Sequence, residues 1–121
     1  MIRPELWFPV DGYGDRYEVS DHGNVPSIRA DGSVYRYLCW TICTKGYAQV
    51  RFYWRGRRYQ PMVHQLVAQA FLGPAPDDGA YDVHHKDTKR THNWADNLEY
   101  VPHKEHWRRT RRRTRVLERA A

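Results

Sequence analysis

Residues 81–109 read YDVHHKDTKRTHNWADNLEYVPHKEHWRR, and no other stretch limits the fold as much. YDVHH (81–85) and LEYV (98–101) are short runs rich in β-branched and aromatic residues, the pattern of strands. Between them lies a polar loop, Lys86 to Asn97. Pro102 suits the first position of a helix, and HKEHWRRTRRRTRVLERA can continue helically from there. The last third is therefore expected to be strand, loop, strand, helix. It also gathers five of the chain's seven histidines, two asparagines and three aspartates, all within thirty residues.

The first half reads as β structure. YEVS (17–20) and VPSI (25–28) flank the turn signal DHGN. SVYRYLCW (33–40), the turn TKGY (44–47) and the alternating run AQVRFYW (48–54) follow, and RGRR (55–58) turns the chain again. Short strands with a turn about every ten residues predict an antiparallel meander. MVHQLVAQAFLG (62–73) changes period: Met62, Leu66, Val67, Ala70 and Phe71 share one face at helical spacing. Gly73 caps that short helix, and Pro74 and Pro76 prevent its continuation. The fold class is α+β, in a chain whose 121 residues suit a single domain. Such a domain has a modest core, and five Trp and nine Tyr bury much area per residue.

Successive strand side chains point to opposite faces. His84 and His85, at the end of the first strand, cannot both bind one ion while the strand stays regular, but they can flank one substrate atom. His106, on the first turn of the last helix, can meet one of them at a metal and leave the other free. A metal beside a scissile phosphate stabilises the charged transition state, and a neutral imidazole can take a proton from the attacking water. Asn97, just before LEYV, can bond backbone groups across the loop and keep His85 oriented.

The net charge of +6 lies entirely in the segment from His103 onward, which contains Arg108, Arg109, Arg111, Arg112 and Arg113; the preceding residues balance to zero. Such a block attracts polyanions and releases their counterions. The strand region RFYWRGRRY (51–59) has two readings: a packed meander with a solvated tip, or a β-ribbon that places Arg55, Arg57 and Arg58 on DNA. No apolar run approaches the ~20 residues of a membrane span, so no membrane role is expected. Cys39 and Cys43 read as small buried or half-buried thiols, too few for a disulfide framework.

VHHKDTKRTHNWADNLEYV (83–101) resembles the core of HNH nucleases of the ββα-metal type. His85 lies 12 positions before Asn97 and 21 before His106, the spacing of phage homing endonucleases of this class. VHQLVAQAFLGPAP (63–76) resembles the segment that precedes that core. LWFPVDGYGDRYEVSDHGNVPSI (6–28) is similar to an N-terminal NUMOD4-like module of the same proteins. The resemblance implies a β-rich DNA-binding region at 1–60, a ββα-metal nuclease core at 61–110 and a basic tail at 111–121. It implies His85 as general base, His84 and His106 as metal ligands, and Asn97 as the loop-fixing asparagine. It also implies double-stranded DNA as partner and the cytoplasm of a bacterium or phage-infected host as location.

Departures from the pattern carry information. Two imidazole ligands shift preference from Mg²⁺ toward Mn²⁺ or another softer ion such as Co²⁺, Ni²⁺ or Zn²⁺; no small-molecule cofactor is expected. Thr88 stands where the family often has glycine, and His92 where it often has the first of two asparagines. One site per chain implies nicking, whereas double-strand cleavage needs successive nicks or a homodimer. The alternatives are a DNA-binding module with weak or no catalysis, an RNA-binding protein using its arginine-rich tail, and a structural zinc site, for which the cysteines lie far off in sequence.

Overall fold

The computed structural model describes residues 4–74 and 81–102. Ten short strands pair antiparallel, two by two: β1 (Trp7–Pro9) with β2 (Glu18–Ser20), β3 (Pro26–Ile28) with β4 (Val34–Tyr37), β5 (Thr41–Ile42) with β6 (Ala48–Gln49), β7 (Phe52–Trp54) with β8 (Arg57–Tyr59), and β9 (Tyr81–His85) with β10 (Leu98–Pro102). The antiparallel β character expected for the first half is present as four separate ribbons. RGRR is a turn only in its first half. Arg55 and Gly56 both have positive φ, 50° and 76°, the geometry of a two-residue I′ hairpin turn, and Arg57 already belongs to β8.

Between β8 and β9 lies α1 (Val63–Val67), which continues as a wider π-helical segment, Ala68–Leu72. Gly73 ends it at φ 79°, a backbone angle that costs a glycine nothing. The buried stripe also takes in Val63, His64 and Ala68. The helix is therefore wrapped by other elements on more than the one face that its apolar periodicity marks.

One core serves both halves of the chain. Val10, Tyr17, Val19, Val25, Val50 and Phe52 from the β-rich half pack with Val63, Leu66 and Val67 of α1 and Leu98 of β10. Tyr17 stacks on Phe52 with ring centroids 3.9 Å apart, and Tyr13 meets Phe52 edge-on at 4.8 Å. The Tyr17 hydroxyl accepts from the Tyr53 N–H at 2.8 Å and donates to the Tyr53 carbonyl at 3.2 Å, so this buried phenol is satisfied at its polar end. Cys39 is exposed rather than buried, Cys43 is half-buried, and both are free.

Candidate functional site

The β9–β10 hairpin carries the site. Its register pairs His85 with Leu98 and His84 with Glu99. Directly opposed residues share a face, so His85 lies on the side of the core residue Leu98 and His84 on the side of Glu99. The two imidazoles point to opposite faces, and both are largely enclosed, 6% exposed at His84 and 4% at His85.

The loop between the strands is tied down by Asp87 and Asn97. The Lys86 N–H donates to the Asn97 carbonyl at 2.7 Å, and the Thr88 N–H to the His85 carbonyl at 2.9 Å. The Asn97 carboxamide accepts from the Asp87 N–H at 3.2 Å, and its Nδ2 donates to Asp87 Oδ1 at 3.0 Å and to the His92 carbonyl at 2.8 Å. Asp87 also accepts from the Lys89 N–H at 2.8 Å and from His92 Nδ1 at 2.6 Å. Partial desolvation would raise the Asp87 carboxyl. The hydrogen bonds from His92, Lys89 and Asn97 and the charge of His92 outweigh it and hold the group well below the usual carboxylate range. Asp87 is thus the capping residue of the loop.

His85 is held by other groups. Its Nε2 lies 2.8 Å from Asn93 Oδ1, and its ring sits 5.1 Å from His64 and 6.0 Å from Tyr47, which are themselves 4.9 Å apart. Asn97 bonds across the loop to Asp87 and His92, whereas the side chain on the His85 ring is that of Asn93. The sequence reading missed Asn93, although it follows His92 in the place of the family's asparagine pair, a signal that could have pointed to it. Tyr47 carries the Arg90 guanidinium over its face at 5.0 Å, and Arg90 Nη1 donates to the Lys45 carbonyl. Asn93 is fully buried against Gly23. A Cβ at Gly23 would lie 3.0 Å from the Asn93 carbonyl oxygen, and φ there is +87°. The neighbouring Ala95 N–H donates to the Asp21 carbonyl at 2.8 Å, and Trp40 Nε1 to the Gly23 carbonyl at 3.2 Å.

Among the described residues, no three His, Cys, Asp or Glu side chains converge to hold a metal ion. The described hairpin supplies the His84 imidazole with the Glu99 carboxylate on the same face, a donor chemistry compatible with a divalent cation. His106 and the arginines Arg108, Arg109, Arg111, Arg112 and Arg113 lie outside the described residues, as does the expected C-terminal helix. Arg55, Arg57 and Arg58 are all exposed. Arg55 lies over Trp54 at 5.2 Å, and the register sends Arg57 and Arg58 to opposite faces of their ribbon. A second cationic–aromatic cluster was not foreseen: Arg29 and Arg36 flank the exposed Tyr35 at 5.2 and 5.9 Å. Among the described residues no helix is long and apolar enough to cross a membrane.

His84, His85 and the loop-closing Asn97 thus lie on a single hairpin. Residues 62–108 match the family model described as HNH endonuclease. DNA endonuclease I-HmuI of Bacillus phage SP01 is 32% identical over 98 residues, which cover 81% of this chain and 53% of the phage protein. A solved structure described as DNA binding and cleavage by the HNH homing endonuclease I-HmuI aligns with a TM-score of 0.76 and 29% identity. That alignment covers 90% of this chain and 59% of the other. The chain spans little more than half the length of these relatives, and the fold is that of the HNH homing endonuclease.

Proposed function

We propose that this protein is a metal-dependent HNH endonuclease that nicks double-stranded DNA. The observation that carries the reading is the pair His84 and His85, neighbours in sequence, held on opposite faces at the end of β9. His85 is the general base: it takes a proton from water as the water oxygen bonds to phosphorus. The P–O3′ bond then breaks, and the 3′ oxygen acquires a proton from solvent, leaving a 5′-phosphate and a 3′-hydroxyl. His84 and His106 would hold the divalent ion, which when bound stabilises charge on the phosphate oxygens and the leaving oxygen. Two nitrogen donors favour Mn²⁺ or another softer ion over Mg²⁺.

Duplex binding falls to the exposed arginines Arg55, Arg57 and Arg58, to the Arg29–Tyr35–Arg36 cluster, and to the arginines after His106. Phosphate contacts of this kind position a protein on DNA without reading its sequence. The cytoplasm, where such DNA is accessible, is the proposed location.

The test is nicking of supercoiled plasmid by wild type and His85→Ala, each with Mg²⁺, Mn²⁺, Co²⁺, Ni²⁺, Zn²⁺ or EDTA. Open circles formed by wild type with metal, and a loss of about 10²–10⁴-fold in His85→Ala with DNA affinity retained, are expected. Equal cutting by both proteins would remove His85 from the chemistry. Binding without cutting under any ion would make the protein a DNA-binding module.

A further inference from the structure

The contact between His85 Nε2 and Asn93 Oδ1, at 2.8 Å, has a chemical direction. A carboxamide oxygen can only accept, so Nε2 must carry the proton. In a neutral imidazole the lone pair then lies on Nδ1. We propose that Asn93 is a positioning residue that fixes His85 in the Nε2–H form and so makes Nδ1 the atom that takes the proton from water. The second half of this statement rests on the nuclease reading; the tautomer itself does not.

Three observations support the assignment. Asn93 is fully buried, and its Nδ2 finds no hydrogen-bond partner among the described residues. The side chain makes its bond to His85 and leaves a donor buried, an arrangement rare in native proteins. Its backbone packs closely against the Gly23 turn, where an added Cβ would lie only 3.0 Å from the Asn93 carbonyl oxygen, and the Asp21 carbonyl accepts from the Ala95 N–H. The His85 ring is also walled by His64 and Tyr47, which restrict its rotation. With the ring plane confined, the hydrogen bond at Nε2 decides which nitrogen is basic.

Tautomers are read directly by long-range ¹H–¹⁵N correlation on ¹⁵N-labelled protein, in EDTA and without DNA, at about pH 9, where imidazoles are neutral. Wild-type His85 should show the Nε2–H pattern. Asn93→Ala should show a mixture of both forms, and Asn93→Asp, which keeps an acceptor oxygen, should restore Nε2–H. An Nδ1–H pattern in wild type would overturn the proposal, as would an unchanged pattern in folded Asn93→Ala. If Asn93→Ala fails to fold, the wild-type and Asn93→Asp spectra decide alone. In plasmid nicking with Mn²⁺, kcat of Asn93→Ala should fall at least tenfold with KM unchanged, and Asn93→Asp should recover most of the loss. Because the spectrum needs neither metal nor substrate, failure of the nuclease reading leaves the tautomer result standing, and the reverse also holds.

Discussion

Asp87 and Asn97 grip each other twice across the site loop: the Asp87 N–H donates to the Asn97 carboxamide oxygen, and Asn97 Nδ2 donates back to the Asp87 carboxylate. The same Nδ2 reaches the His92 carbonyl. Asn97 is only 7% exposed, so its loss leaves polar groups that water reaches poorly. Asn97→Ala should cost about 1–3 kcal/mol and speed hydrogen exchange at Asp87 and its neighbours. A variant with wild-type exchange rates there would show that the loop holds without this pair.

Thr88 sits at φ 62°, where a β-branched residue is strained by roughly 1–2 kcal/mol. Thr88→Gly relieves that strain. It also surrenders the hydroxyl bond to the Asp87 carbonyl and loosens the unfolded chain, so the net gain is about 0.5–1 kcal/mol. The melting temperature should rise by a few degrees. A fall would mean that the hydroxyl bond outweighs the backbone strain.

The Asp87 carboxyl is lowered in the folded protein, so the loop binds fewer protons than the unfolded chain. Its contribution is fully present above the ordinary carboxylate pKa of about 3.9 and is lost as pH falls through the lower folded value. The Asp87 carboxyl ¹³C resonance should therefore show the protonation of that group only at a pH below the ordinary carboxylate range. A ¹³C titration of Asp87 with its midpoint at or above the ordinary value would contradict the hydrogen-bond network.

Salt should expose the charged tail. Removing residues after Thr110 deletes Arg111, Arg112, Arg113, Arg115 and Arg119. For every phosphate that the shortened protein no longer neutralises, the slope of log affinity against log salt should flatten by roughly 0.9. Arg57→Ala and Arg58→Ala should each flatten it by about 1 if their faces meet phosphates. An unchanged slope after truncation would remove the tail from DNA binding.

The hairpin was legible in the sequence because its two strands are bounded by a polar loop, and β9 spans the residues read as strand. The α1 segment was legible from its apolar period. The partner of His85 was not. Which asparagine reaches an imidazole depends on where the loop folds back, and Asn93 is delivered there by a turn some seventy residues earlier. The aromatic wall of Tyr47 and His64 was equally hidden, because two residues from different elements meet only when the core closes. The break of the β-rich half into separate ribbons was hidden as well: Gly12, Gly14, Gly32, Gly46 and Gly56 lie in the turns within the ribbons, and of the breaks between ribbons only the first holds a positive-φ glycine, Gly23.

The meeting of Gly23 with Asn93 also bears on how such a protein can change over generations. A turn from the first quarter of the chain is part of the mould for a loop in the last. A gene rearrangement that exchanged the β-rich half for foreign sequence would have to supply a bare backbone at that spot, and a carbonyl where that of Asp21 now stands. At this contact the two halves fit each other as a lock fits its bolt.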